Sequence, residues 1–220
     1  MNMDVKICGL STKESVIAVR DGGASHVGFI FFEKSPRHVT SYAASQLVEH
    51  AGDCKTVAVT VNADDVYLND IVGVMKPDML QLHGSETPQR VAELKERHGL
   101  PVIKAFSIAT EDDFEKTAAY DGIADILLVD AKPPEGADLP GGNGISFNWG
   151  LLEKLTSATP VWLSGGISLD NAEEALRHVA DPDTCIKGLD VSSGVESAPG
   201  VKDEEKIAAF LAVCRAQQNA

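Results

Sequence analysis

Residues 161–194 read VWLSGGISLDNAEEALRHVADPDTCIKGLDVSSG, one complete strand–turn–helix–strand unit. Val161–Leu163 is a short apolar run that stops at Ser164-Gly165-Gly166. Ala172, Ala175, Leu176 and Val179 then recur at i, i+3, i+4 and i+7, which is one face of a helix. Gly188–Val191 is the next apolar run, closed by Ser192-Ser193-Gly194. Two strands joined through a helix lie parallel, with a right-handed crossover.

Working outward, the same alternation recurs although no short sequence repeat does. Strands are expected at Val5–Ile7, His26–Phe31, Thr56–Val61, Met79–Leu82, Val102–Phe106 and Ile126–Val129, besides the two above. Several are apolar on both parities, as strands covered on both faces should be. Helix faces appear at Ala44/Leu47/Val48/Ala51, Leu68/Ile71/Val72/Met75 and Ile207/Phe210/Leu211/Cys214. Ser11 with Glu14 reads as a capping box, and Pro88 after Thr87 as a first-turn proline. Asp203, Glu204 and Glu205 suit the start of the last helix. Eight units in 220 residues predict an α/β fold, a single (β/α)8 TIM barrel with residues 1–220 as one catalytic domain. An open doubly wound sheet is the lesser alternative, and no Gly-x-Gly-x-x-Gly follows the first strand to support it.

Composition narrows the partners. An apolar fraction of 44% allows a sizeable core, and a formal net charge of −14 repels nucleic acid and anionic membrane. A phosphate would therefore be held locally, by backbone N–H groups and one or two cations. No signal peptide is visible at Met1–Lys6, and no run approaches the ~18 apolar residues of a membrane span. Cys8, Cys54, Cys185 and Cys214 form no CxxC and read as free thiols, so a cytoplasmic protein is expected. Oligomeric state is open, with a monomer favoured.

In a barrel of this kind the chemistry sits at the carboxyl ends of strands. On the first strand, alternation turns Lys6 and Cys8 inward and Val5 and Ile7 toward the helices. Cys8 is either a small buried hydrophobe or a thiolate base or nucleophile. After the second strand, Phe32-Glu33-Lys34-Ser35-Pro36-Arg37-His38 is a basic loop, solvated or an anion clamp with Arg37 forking onto a carboxylate. Gln81 and His83 share a face of the fourth strand. His83 could be a substrate-binding residue, a metal ligand or a satisfied core histidine. Asp130 ends the sixth strand after four apolar residues, where a carboxylate is costly unless used or paired. The Gly/Pro-rich loop from Ala131 to Phe147 reads as a lid or a tolerated insertion. Gly165–Gly166 and Ser193–Gly194 are paired small-residue turns after strands 7 and 8, which matches the recurring phosphate site of barrels.

The segments VKICGLS, GFIFFEKSPRHV, LQLHGSE, LLVDAK, GGNGISFNW, LSGGIS and DVSSGVESAPGVKD resemble the phosphoribosylanthranilate isomerases, in order and across the whole barrel. The resemblance implies an Amadori rearrangement. N-(5-phosphoribosyl)anthranilate becomes 1-(2-carboxyphenylamino)-1-deoxyribulose 5-phosphate, in tryptophan biosynthesis, with no cofactor or metal. It carries the general base onto Cys8, the general acid onto Asp130 and the anthranilate-carboxylate partner onto Arg37. The phosphate turns fall on Gly165, Gly166, Ser193 and Gly194. The loop tip Glu135–Leu139 matches nothing, and His83, Gln81 and Asn62 receive no role. A metal-dependent sugar-phosphate epimerase would need more ligands than His83 and Asp130 supply. Indole-glycerol-phosphate synthase would carry an extension before the first strand. A non-catalytic phosphometabolite-binding barrel would not need both Cys8 and Asp130.

One expectation rests on topology alone. Strand 8 closes on strand 1, and Leu189 and Val191 face the helices, so Asp190 points inward. An inward Lys6 needs a partner. Asp190 is the nearest, and Lys6 would also favour the Cys8 thiolate.

Overall fold

The computed structural model describes residues 3–132, 136, 141–142, 144 and 146–218. Eight parallel strands close into a barrel in chain order. They are β1 (Asp4–Cys8), β2 (His26–Phe31), β3 (Lys55–Thr60), β4 (Met79–Leu82), β5 (Val102–Ile108), β6 (Ile126–Ala131), β7 (Val161–Leu163) and β8 (Ile186–Val191). Each expected strand is present, displaced at most two residues at an end. β1 seals the ring against β8, with Lys6 opposite Asp190 in the register.

Alternation along the strands separates two cores. Val5, Ile7, Val161, Leu163, Leu189 and Val191 pack outward with the helices. Cys8, Val57, Val59, Ile103, Leu128 and Trp162 belong to a separate cluster inside the ring. Trp162 is fully buried there, and the His26 ring meets it edge-on at 4.7 Å. Each such apolar side chain contributes about 1.5–3 kcal/mol on leaving water. The interior of the barrel is thus filled by side chains.

The helices are regular on one side of the ring and cramped on the other. α1 (Lys13–Asp21), α2 (Ser41–Val48), α3 (Asp65–Met75) and α4 (Pro88–His98) follow the first four strands. Thr87 caps α4 ahead of Pro88, as expected. The cap of α1 is Thr12, not Ser11. Its hydroxyl accepts the Ser15 N–H, and Ser15 returns its own hydroxyl to the Thr12 carbonyl. After β5 there is only a 3-10 turn, Glu111–Phe114, and a single helical turn, α5 (Glu115–Ala118). After β6, where no helix face was read from the sequence, Trp149–Lys154 is a 3-10 helix. Buried Trp149, Leu152 and Leu155 stand three apart, the period of a 3-10 helix rather than the 3.6 of an α-helix. α6 (Ala172–Ala180) and α7 (Glu204–Gln218) complete the ring, and Asp203 caps α7 by accepting the Lys206 N–H.

A short antiparallel hairpin, β9 (Glu196–Ala198) and β10 (Val201–Lys202), follows β8 and was not foreseen. Gly200 turns it with φ +81°, and a side chain there would come within 2.6 Å of the Pro36 carbonyl oxygen. The hairpin therefore sits directly on the loop after β2. Most of the loop expected as a lid, including Pro133, Pro134, Glu135 and 137–140, lies outside the described residues. Among the described residues no helix is long and apolar enough to cross a membrane.

Candidate active site

At the carboxyl end of the barrel lies a cleft, open at its mouth, where ligands of such barrels bind. Cys8, Arg37, His83, Asp130, Gly165 and Ser193 all line it.

β1 brings Cys8 to the floor, with Lys6 one pleat below. Gly28 on β2 makes room for both, because a Cβ there would lie 2.9 Å from Lys6 Cε and 3.0 Å from Cys8 Sγ. The Lys6 ammonium donates to Asp190 Oδ1 at 2.8 Å, the pairing expected from topology. Asp190 also accepts from the Ser164 hydroxyl at 3.3 Å. Burial pushes the Cys8 thiol up, the nearby Lys6 and Lys202 ammonium groups pull it down, and Asp190 pushes up again, for a net rise. Burial lowers the Lys6 ammonium, but Asp190 and the Cys8 sulfur outweigh it and leave Lys6 above its ordinary value.

β6 supplies Asp130, whose Oδ1 accepts the N–H of Ala131 at 2.8 Å. His83 Nε2 stands 3.4 Å from Asp130 Oδ2, an ionic-contact distance without hydrogen-bond geometry. Gln81 lies 3.1 Å from Nδ1 and, with its amide nitrogen donating, places the imidazole proton on Nε2, facing Asp130. His83 is therefore neither a closed core histidine nor part of a ligand set. Among the described residues no three His, Cys, Asp or Glu side chains gather as a metal ion needs.

The turns after β7 and β8 lie side by side through a bridge between Ser168 and Gly194. Gly165 and Gly166 take positive φ angles of 87° and 66°, open to glycine at little cost, and both line the cleft. Ser193 lines it too. Gly194 also has a packing role. A Cβ there would lie 1.9 Å from the Ile167 carbonyl oxygen, so this glycine lets the two turns press together behind the cleft.

Arg37 reaches the cleft with its stem over Gly9, where a Cβ would meet Arg37 Cδ at 2.6 Å. Its fork, expected to be free for a ligand, is occupied. Nε and Nη2 donate to the two oxygens of Glu196 at 2.7 and 2.9 Å, and Nη2 also donates to the Gly142 carbonyl. Glu196 in turn accepts from Lys202 at 2.8 Å, and Lys202 donates to the Ser192 carbonyl. Sequence reasoning missed Glu196 and Lys202. Both stand in the segment DVSSGVESAPGVKD, but nothing in its spacing announces a hairpin.

Comparison with known proteins gives a consistent picture. The sequence model of a family described as "N-(5'phosphoribosyl)anthranilate (PRA) isomerase" matches residues 5–213. A Brucella canis protein named N-(5'-phosphoribosyl)anthranilate isomerase is 57% identical over 212 residues, covering 96% of this chain and 93% of that one. The crystal structure of phosphoribosyl anthranilate isomerase from Thermotoga maritima superposes with a TM-score of 0.83 at 30% identity, covering 98% of this chain and 100% of that one. A crystal structure of such an isomerase in complex with reduced 1-(o-carboxyphenylamino)-1-deoxyribulose 5-phosphate gives a TM-score of 0.80 at 28% identity, with 98% and 100% covered.

Proposed function

The chain belongs to the N-(5'-phosphoribosyl)anthranilate isomerase family, and from that premise we propose how its own residues carry the reaction. The chain is an aldose–ketose isomerase that converts N-(5-phosphoribosyl)anthranilate to 1-(2-carboxyphenylamino)-1-deoxyribulose 5-phosphate, a step of tryptophan biosynthesis.

The phosphate sits against the backbone N–H groups of the Gly165–Gly166 and Ser193 turns, and the anthranilate carboxylate meets Arg37. Asp130 gives its proton to the ribose ring oxygen as the C1–O bond breaks. The anilino nitrogen lone pair moves into a C1=N bond, and the ring opens to a protonated imine. That imine acidifies C2. Cys8, as thiolate, takes the C2 proton, and the C–H electron pair forms C1=C2 while the nitrogen recovers its lone pair. Loss of the enol proton and protonation at C1 then give the ketone, with no net change in protons. The Ala131 N–H holds one oxygen of that carboxyl group, and His83 stands 3.4 Å from the other. Lys6 favours the thiolate against the burial that opposes it.

The single observation that carries this reading is that Cys8 on β1 and Asp130 on β6 open onto one cleft with both turns and Arg37. Freshly made substrate should lose its anthranilate-type fluorescence when the pure protein is added, and the gene should rescue a tryptophan auxotroph lacking the isomerase. Unchanged fluorescence would leave a binding barrel. One chain supplies every residue invoked, so residues 1–220 act as one catalytic domain and a monomer suffices, which sedimentation would check. Four free cysteines support a cytoplasmic setting.

A further inference from the structure

Glu196 is the most completely engaged carboxylate around the cleft. Its side chain, like those of Arg37 and Lys202, is at most 4% exposed. It accepts two bonds from Arg37, one from Lys202 and one from the Gly200 N–H at 3.2 Å. A carboxylate has about four lone-pair sites. All four are filled, so Glu196 has nothing left to offer a substrate. Burial pushes its carboxyl group up, but the Arg37 and Lys202 contacts prevail and hold it below the ordinary range. It is thus a charged clamp.

The clamp has a direction. Arg37 has five N–H donors in a rigid fork. Three are taken by Glu196 and the Gly142 carbonyl. Among the described residues the two on Nη1 have no acceptor, and Arg37 lines the cleft. The same short segment that carries Glu196 includes the Ser193–Gly194 turn. Ser192 within it donates its hydroxyl to the Cys8 carbonyl at 3.0 Å, and Lys202 closes it by binding Ser192 and Glu196 together.

We propose that Glu196 is a positioning and specificity-determining residue that turns Arg37 so its Nη1 edge, rather than its fork, meets the substrate carboxylate. Because Glu196 and Ser193 belong to one braced segment, 192–202, this also sets the span between the carboxylate end and the phosphate end of the ligand. A ligand with both anions at that span is recognised, and one with phosphate alone gains nothing from Glu196. The inference rests on the reading that Arg37 receives the anthranilate carboxylate.

The test compares two ligands on the full-length enzyme: the reaction product, which bears both anions, and ribose 5-phosphate, which lacks the carboxylate. Glu196→Gln keeps the size of the side chain but removes its charge. It should weaken product binding and raise KM by roughly 3- to 30-fold. Affinity for ribose 5-phosphate should hold, kcat should fall far less than KM rises, and the pH profile should stay in place. Adding Glu196→Gln to Arg37→Met should cost nothing beyond Arg37→Met alone. If Glu196→Gln fails to fold, Lys202→Met, which frees one side of the clamp, should show the same ligand selectivity in smaller measure. Equal losses for both ligands, tighter product binding, or additive losses in the double variant would each overturn the proposal. Arg37→Met separates the two layers. If it weakens both ligands alike, the carboxylate reading of Arg37 is wrong. If it is selective while Glu196→Gln changes nothing, only the positioning role falls.

Discussion

Lys6 on β1 and Lys104 on β5 are both buried, and each is bonded to one carboxylate, but their surroundings differ in kind. The Lys104 ammonium donates to Glu86 at 3.0 Å and to the carbonyls of Leu82, Gly84 and Ala105. Four acceptors compete for three protons. Glu86 is as fully engaged, accepting the N–H groups of Asn62 and Gly84 as well. This pair fastens the loops after β3 and β4, and burial leaves Lys104 below its ordinary value despite Glu86. Lys6 has one firm partner, Asp190, and a thiol nearby. Its two neighbours can both bear negative charge, so it holds its proton more tightly than an exposed lysine would. A saturated buried ammonium braces backbone, whereas one with donors to spare bears on chemistry.

The comparison can be broken first at the thiol. Cys8→Ala would leave Lys6 with Asp190 alone, as structural as Lys104. We expect kcat to fall by about 10²- to 10⁴-fold, with Asp130→Asn in the same range. Folding and product affinity should persist in both, and near-normal steady-state turnover would remove that residue from its role. Next, Lys104→Met strands Glu86 among backbone groups. Urea unfolding should show a loss of about 3–5 kcal/mol, while the folded fraction keeps its turnover. A large drop in kcat with little loss of stability would reverse the two lysines.

Titration sharpens the contrast further. Lys6→Met removes a group that lowers the Cys8 pKa, so the thiol should titrate still higher and the limb of kcat/KM set by thiolate formation should move to alkaline pH. Asp190→Asn removes a group that raises it, so the limb should move to acid pH. The ultraviolet absorbance of the thiolate follows this directly once Cys54, Cys185 and Cys214 are replaced. Shifts of the same sign in both variants would contradict the shared network. The smallest effect belongs to Glu86→Gln, which keeps most of the donors satisfied. It should cost about 1–3 kcal/mol of stability and leave the pH profile untouched; any movement of the limb would tie the β4 loop to the thiol.

Much of this was legible in the residues themselves. Eight short, largely apolar runs alternating with helix-type segments dictate the ring, and strand parity together with ring closure places Lys6 against Asp190. Cys8 and Asp130 stand where strand ends must stand. The misreadings share one cause, which is distance along the chain. Arg37 looked free because Glu196 lies 159 residues away on a hairpin too short to carry a pattern. The close packing of Gly194 on Ile167 was hidden for the same reason, because Ile167 belongs to another turn. At close range the failures were of resolution. Ser11 and Thr12 both offer a cap hydroxyl, and Trp149, Leu152 and Leu155 display a three-residue period that a search for 3.6 passes over.

The bond between Lys6 and Asp190 spans 184 positions of the chain. At about 5–20 residues per second, synthesis puts roughly 10–40 s between their emergence. Through that interval β1 lacks its β8 neighbour, and an ammonium destined for full burial has no counter-charge. The first strand made is therefore among the last to be secured. Its open edge is a template for mispairing on the ribosome, and the moment of Asp190's arrival is the moment at which the barrel becomes a closed object.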